Sequence, residues 1–106
     1  MIESNNTSNI NGNWDITVDT PFGKEKYSLN IDSSNASITG SISHEKGIVI
    51  LTDASFIDGS FKCLLNVEFP IKATVNLQAN VIDDNKMFGT LQVDQYLETL
   101  FIGARQ

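Results

Sequence analysis

The sequence is poor in the residues that build many catalytic and structural centres. Its 106 residues include one cysteine, Cys63, and one histidine, His44. A single cysteine excludes an internal disulfide framework and any zinc site that needs several thiolates. The chain also lacks a dinucleotide-binding glycine motif, a phosphate-binding loop and a complete calcium-binding loop. We therefore expect neither a cofactor nor a metal site.

Basic residues are scarce as well. Seven lysines and arginines stand against 13 acidic residues, which gives a formal net charge of −6. Phosphate binding needs a basic surface, so we expect no nucleic-acid partner and no attraction to anionic membranes. No apolar run is long enough for a membrane-spanning helix, so no membrane insertion is expected. The lone thiol and the absence of a secretory signal predict a cytoplasmic protein.

The sequence is instead dominated by an alternation of apolar and polar residues, which is clearest in residues 14–19, 61–68 and 71–82. A period of two places the apolar side chains on one face of a half-buried strand. Turn residues separate these segments at short intervals, which makes successive strands antiparallel neighbours. The predicted strands are 12–20, 24–32, 36–44, 47–52, 54–58, 60–68, 71–82, 86–93 and 99–105.

Evenly spaced strands with no helix predict an all-β fold. We expect a single antiparallel up-and-down meander of about eight strands, closed into a small β-barrel. Closure is favoured because it removes the exposed strand edges on which aggregation begins. Residues 1–11 are rich in serine and asparagine and are predicted to form a disordered N-terminal tail. Residues 12–106 are then the single barrel domain.

Two landmarks lie at the ends of the predicted barrel. Gly12-Asn13-Trp14 opens the first strand, and Arg105 lies near the end of the last one. This G-x-W motif with a late arginine resembles the calycin superfamily, which comprises lipocalins, fatty-acid-binding proteins and avidins. In that superfamily the tryptophan closes the barrel floor and the arginine packs on it in a cation–π contact. The resemblance implies a calycin-like barrel in which Gly12, Trp14 and Arg105 are structural residues.

A second resemblance covers nearly the whole chain after the tail. The chain is similar to a small bacterial β-barrel domain that occurs alone or fused to hydrolases and oxidoreductases. The ordered motifs that carry this similarity are Gly12-x-Trp14, Thr20-Pro21-x-Gly23, Ile38-Thr39-Gly40-Ser41, Gly59, Gly89-Thr90 and Gly103-x-Arg105. Gly40, Gly89 and Gly103 lie inside strands, where a bend or a close approach explains a glycine, so we assign them structural roles. The flanking helix of lipocalins is missing.

The predicted interior face is nearly all apolar, and two interpretations stay open. It is either a packed core, as in small eight-stranded barrels, or an apolar pocket open at one end. In the second case the candidate ligand-binding residues are Trp14, Tyr27, Phe61 and Leu65. The residues predicted to face inward are Trp14, Ile16, Val18, Tyr27, Leu29, Ile31, Ile38, Ile42, Phe61, Cys63, Leu65, Val67, Val75, Leu77, Met87, Leu91, Leu100 and Ile102.

A second set of apolar residues has the opposite parity. Leu64, Phe88 and Phe101 are predicted to point outward and to need a cover. A homodimer interface would provide it. The alternative is that a β-bulge shifts the parity and that some of these residues belong to the core.

Three functions follow from these features. The first is the binding of an apolar or aromatic small molecule, such as a lipid-like ligand, at the open barrel end. The second is an enzyme of the isomerase, cyclase or dehydratase type, with Tyr27, His44 and Tyr96 as weak candidates for proton transfer. An exposed turn histidine is the alternative interpretation of His44. The third is a packed accessory or oligomerisation domain for a partner enzyme. Ligand binding ranks first.

Overall fold

A computed structural model describes residues 10–20, 23–33, 37–45, 47–68, 72–94 and 97–106. Eight antiparallel strands follow one another in a meander, and the first strand pairs with the last to close a barrel. The structure confirms the predicted fold class. The strands are β1 Gly12–Thr20, β2 Gly23–Asp32, β3 Thr39–His44, β4 Gly47–Ile57, β5 Ser60–Val67, β6 Ala73–Asp83, β7 Lys86–Val93 and β8 Leu97–Arg105.

The alternation in the sequence becomes the inside and outside of the barrel. Along β6, Val75, Leu77 and Ala79 are buried, whereas Asn76 and Gln78 between them are exposed. The same period recurs in the other strands, with a shift of phase within β4, and joins their inward side chains into one core. That core consists of Ile10, Trp14, Ile16, Val18, Leu29, Ile31, Ile42, Leu51, Phe61, Cys63, Leu65, Val75, Leu77, Ala79, Met87 and Phe101.

One predicted strand break does not exist. The sequence suggested separate strands at 47–52 and 54–58, but both lie in β4. Asp53 has a positive φ of 52°, and the pairing of β4 with β5 shifts register between Thr52 and Ser55. A bulge of this kind inserts a residue without ending the strand. Asp53, which lay between the two predicted strands, instead occupies an irregular position within one continuous strand.

The predicted parity of β8 is wrong. Phe101 is buried, with 3% of its surface exposed, whereas Leu100 and Ile102 are 65% and 60% exposed. Phe101 therefore cannot belong to an outer interface, and Leu100 and Ile102 do not belong to the core. The reason is the register, which sets Phe101 opposite Val18 on one side and Gly89 on the other. Residues directly opposite share a face, so Phe101 points inward together with the buried Val18.

The N-terminal segment joins the barrel earlier than the sequence suggested. Ile10 is fully buried in the core, although it was assigned to the tail. The Asn11 side chain accepts a hydrogen bond from the backbone N–H of Ser33 at 2.7 Å. The predicted tail is therefore too long by these two residues. Its remaining part, residues 1–9, lies outside the described residues.

Two of the glycines inside strands mark close approaches of neighbouring backbones. A Cβ atom at Gly40 would lie 2.0 Å from the carbonyl oxygen of Asn30, and one at Gly89 would lie 1.8 Å from that of Gln78. Neither distance is compatible with any side chain. The structural roles predicted for these glycines thus have a direct steric reason.

Candidate functional site

The barrel end at which β1 begins is closed by the N-terminal segment. Trp14 is fully buried, and its indole Nε1 donates a hydrogen bond to the carbonyl oxygen of Ile10 at 3.0 Å. The guanidinium carbon of Arg105 lies 4.4 Å from the centroid of the Trp14 ring, which is a cation–π contact. Arg105 also donates to the carbonyl oxygens of Asp84 and Asn11, each at 2.6 Å. The predicted packing of Arg105 on Trp14 is confirmed.

Gly12 is required by the same cluster. Its φ is +128°, a backbone conformation that favours glycine, and a Cβ there would lie 3.0 Å from Nη1 of Arg105. Trp14, Arg105 and Gly12 therefore hold the closed end together. None of the three is available to a ligand that approaches from solvent at the other end.

An aromatic pair lies toward the opposite end of the barrel. The rings of Tyr27 on β2 and His44 at the end of β3 have centroids 4.8 Å apart, and their planes are tilted by 39°. Both side chains are half-buried. Ser28 pairs with Ser43, so the next positions along the two antiparallel strands bring Tyr27 and His44 opposite each other. The sequence nominated these two residues separately, and the structure brings them together.

Glu25 adds a carboxylate to the pair. Its Oε1 lies 3.5 Å from Nε2 of His44, which makes an ion pair when the imidazole is protonated. Burial raises the pKa of the Tyr27 phenol, and the negative charge of Glu25 raises that pKa further. The Tyr27 hydroxyl therefore keeps its proton at neutral pH and offers a hydrogen-bond donor. The three side chains form a phenol–imidazole–carboxylate cluster toward this end of the barrel.

This cluster borders a concavity of about 530 Å³. The volume lies within the range of small-molecule sites in proteins. In the part of the chain that the structure describes, the wall is mostly polar: it has two carboxylates, one amine, three aliphatic hydroxyls, the phenol and the imidazole. The lining residues come from the β1–β3 part of the barrel and the start of the following turn: Asp15, Ile16, Thr17, Lys26, Tyr27, Ser28, Ser43, His44 and Glu45.

The structure separates the four residues that the sequence grouped as a ligand site. Tyr27 lines the concavity, but Trp14, Phe61 and Leu65 are 0%, 0% and 4% exposed within the core. They do not line this concavity. Alternation identifies the face on which a side chain lies but not its height along the barrel axis. For that reason the sequence grouped side chains that share an interior but not a site.

The other chemically reactive residues do not contribute to the described concavity. Cys63 is 3% exposed, and burial raises the pKa of its thiol to about 12. The thiol is therefore neutral at pH 7 and a poor nucleophile. Tyr96, the third candidate for proton transfer, lies outside the described residues. Leu64, proposed for an outer interface, is half-buried on β5.

Sequence reasoning missed most of the wall of the concavity. The sequence alone did not indicate Asp15, Ser28, Ser43 or Glu45 as residues of one site. It also did not indicate Glu25, which lies beside the concavity. The signal that would have found them is the β2–β3 register. Counting backward along β2 and forward along β3 from the pair Asp32–Thr39 sets Ser28 beside Ser43. The sequence alone does not show which residue of β2 pairs with which residue of β3, so these neighbours could not be derived from it.

Within the described ranges, no group of three or more His, Cys, Asp or Glu residues is arranged to hold a metal ion. In the same part of the chain, no helix has the length and apolarity to cross a membrane.

Comparison with known proteins identifies no relative: no family model, no curated protein and no solved structure matches this chain.

Proposed function

We propose that this barrel binds a small planar aromatic molecule in the concavity beside Tyr27 and His44. The observation that carries the proposal is the aromatic pair, with ring centroids 4.8 Å apart, on the wall of a concavity of about 530 Å³. Two tilted, half-buried rings offer an incoming ring both a face and an edge to pack against. Such packing adds to the gain from removing the apolar surface of the ligand from water.

The charges around the concavity restrict the ligand further. Asp15 and Glu45 line it and Glu25 lies beside it. Among the lining residues that the structure describes, Lys26 supplies the single cationic side chain. Carboxylates only accept hydrogen bonds, so a matching ligand brings donors. A ligand carboxylate would meet like charges. The site therefore favours neutral or cationic aromatic molecules that carry N–H or O–H groups.

The lipid-like ligand suggested by the sequence fits less well. A long acyl chain would need space in the interior, where Trp14 and Phe61 are fully buried in the packed core. The sequence also suggested an aromatic small molecule as the ligand. Such a molecule needs only the space of the concavity beside Tyr27. We accordingly place the ligand beside Tyr27 and not on the axis of the barrel.

An NMR titration with two matched probes tests the proposal. Benzamidine and benzoate have nearly the same shape and opposite charge. We expect benzamidine to shift the backbone amide resonances of Tyr27, Ser28, Ser43 and His44, with a Kd on the order of 1 mM for so small a molecule. Benzoate should leave these resonances in place. If neither probe shifts them, or if both do so equally, the proposed ligand class is wrong.

Substitutions at the aromatic pair supply the control. Tyr27→Leu removes the ring and should weaken benzamidine binding several-fold, whereas Tyr27→Phe keeps the ring and should retain most of it. Phe88→Leu changes a ring that is 50% exposed on the outer face and should have no effect. Equal binding by Tyr27→Leu and the unsubstituted protein would remove Tyr27 from the site.

Proton transfer is a second candidate function, and the 3.5 Å contact between Glu25 and His44 favours it. A carboxylate at this distance can orient the imidazole as a base, and the Tyr27 hydroxyl can donate to an oxygen that becomes negative. Isomerisation and dehydration of carbonyl compounds need this pairing of a base with a donor. Exchange of the α-protons of phenylacetone in D₂O, followed by NMR, would reveal it. This function is rejected if the protein exchanges the α-protons no faster than buffer alone does. It is also rejected if the His44→Gln variant exchanges them as fast as the unsubstituted protein.

Four further expectations stay proposals. Self-association as a homodimer is supported by the exposure of Phe88, Leu100 and Ile102 on the outside of β7 and β8. A calycin relationship is supported by the eight-stranded closed barrel and the Trp14–Arg105 contact. A cytoplasmic location and an accessory role beside a partner enzyme are supported only by the composition and the resemblance from which they came.

A further inference from the structure

A stripe of apolar side chains runs along the outside of β7 and β8. Phe88, Leu100 and Ile102 are 50%, 65% and 60% exposed. Phe88 is directly opposite Ile102, and Leu100 is opposite Thr90 in the next outward-facing pair. These side chains are therefore contiguous on one surface, here named the β7–β8 face. A contiguous apolar surface of this kind typically marks a site of association.

The two ends of the β7–β8 face carry opposite charges. Lys86 precedes Phe88 by two positions and Glu98 precedes Leu100 by two, so both side chains point outward with the stripe. The strands are antiparallel, so Lys86 and Glu98 lie at opposite ends. Six residues along a strand separate their rows by about 20 Å. Neither forms an ion pair with another residue in the part of the chain that the structure describes.

We propose that a second copy of this chain docks on the β7–β8 face about a two-fold axis that lies in the interface, perpendicular to the strands. This rotation reverses the strand direction of the second copy. It sets Leu100 of each copy on Ile102 of the other and brings Lys86 of each copy to the end that carries Glu98 of the other. A two-fold contact uses the same patch on both copies, so the complementary charges are formed twice.

The charges also exclude the other face-to-face arrangement. A two-fold axis parallel to the strands would keep Lys86 beside Lys86 and Glu98 beside Glu98, and like charges in contact are destabilising. Each copy carries a net charge of −6, so association needs local attraction to offset the overall repulsion. A face that holds both an apolar stripe and its own complementary charges fits a second copy better than a partner of single charge sign.

The β4 side of the barrel offers a matched control surface. Ile48 and Ile50 are 68% and 65% exposed, so they are at least as exposed as the apolar residues of the β7–β8 face. Their partners on β3 are Ser43 and Ser41. If apolarity alone drove association, substitutions on β4 would weaken the dimer as much as those on β8.

The inference rests on the proposed self-association. Sedimentation velocity between about 1 and 500 μM protein tests it, because this range brackets a dissociation constant on the order of 10 μM. We expect the unsubstituted protein to dimerise, Ile102→Glu to remain a monomer, and Ile48→Glu to dimerise normally. A monomer at every concentration would overturn self-association itself. A dimer that Ile102→Glu leaves intact would overturn only the β7–β8 face.

Charge reversal tests the orientation. Lys86→Glu and Glu98→Lys should each weaken the dimer at least tenfold, because each sets like charges together at both ends. The double variant Lys86→Glu/Glu98→Lys restores opposite charges and should return the dissociation constant to within threefold of the original. A double variant as weak as either single one would overturn the proposed axis, even if Ile102→Glu had confirmed the face.

Discussion

At the scale of single residues, Arg105 connects three parts of the chain. It packs on the Trp14 ring and donates to the carbonyl oxygens of Asn11 and Asp84. These contacts tie the N-terminal segment and the β6–β7 turn to the last strand. Because they join segments far apart in the sequence, they stabilise the closed barrel and not any one strand.

We predict that Arg105→Met lowers the free energy of unfolding by about 2 kcal/mol. The change removes a cation–π contact and two charge-assisted hydrogen bonds. Exposure to water reduces the contribution of these hydrogen bonds to the free energy of unfolding. Urea denaturation followed by Trp14 fluorescence measures the loss. Lys62→Met, which removes an exposed charge on β5, serves as the control and should change stability by less than about 0.5 kcal/mol. Equal stability of the two variants would contradict the proposed role of Arg105.

The buried thiol gives a prediction about reactivity. Because burial raises the pKa of Cys63 to about 12, almost no thiolate exists in the folded protein at pH 8. Iodoacetamide should label Cys63 slowly in the native protein and rapidly in urea, as measured by mass spectrometry. Labelling at the same rate in both would contradict the burial of Cys63.

The same raised pKa has a consequence for stability at high pH. A thiol whose pKa is higher in the folded than in the unfolded protein stabilises the fold. This contribution is present in full at pH values below the pKa of the thiol in the unfolded protein. That contribution is lost as pH rises from the ordinary thiol pKa toward about 12. Burial also raises the pKa of Tyr27, so its contribution is lost in the same direction. Alkaline conditions are therefore expected to destabilise the barrel.

At the scale of elements, the strands could be predicted wherever only one face is apolar. β6 alternates without interruption, and its residues fall on the predicted faces. β8 differs because Leu100, Phe101 and Ile102 are consecutive apolar residues, so a period of two selects neither face. Only the pairing of Phe101 with Val18 and Gly89 decides which side chain enters the core. That information lies in the neighbouring strands and not in β8 itself.

The β4 bulge is the other element that the sequence did not reveal. An aspartate followed by small residues is typical of a turn, and the sequence contains no sign that pairing with β5 resumes beyond it. The structure accommodates Asp53 at a φ of 52° within the strand. Aspartate tolerates this conformation better than most residues, which makes the same residue type suitable for a turn or for a bulge.

We predict opposite effects for two substitutions at this bulge. Asp53→Gly should leave stability unchanged or raise it by a few tenths of a kcal/mol, because glycine adopts a positive φ without steric cost. Asp53→Val should lower it by about 1–2 kcal/mol, because a β-branched residue is strained there. Chemical denaturation of both variants measures the difference. A valine variant as stable as the glycine variant would show that residue 53 does not hold a positive φ in solution.

At the scale of the whole molecule, the two barrel ends differ in structure. The contacts of Trp14 with Ile10 and Arg105 close one end. Tyr27 and His44 border the concavity toward the other end. The closed end could be predicted from the G-x-W motif and the late arginine. The concavity could not, because it depends on which residues of β1, β2 and β3 lie at the same height. Tyr27 and His44 were recognisable by chemical type, whereas their contact follows from the register alone.

The proposed ligand site and the proposed dimer face use different parts of this molecule. The concavity lies over β1, β2 and β3, and the apolar stripe lies on β7 and β8. Ile102→Glu should therefore abolish association and leave benzamidine binding at Tyr27 unchanged. This separation allows each proposal to fail without the other.

The measurement that tests the central claim most directly is the location of bound benzamidine by intermolecular nuclear Overhauser effects. The account predicts contacts from the benzamidine ring protons to the ring protons of Tyr27 and His44. Contacts to Phe88, Leu100 or Ile102 instead would place the ligand on the outer apolar face. That result would contradict the assignment of the concavity beside Tyr27 and His44 as the binding site.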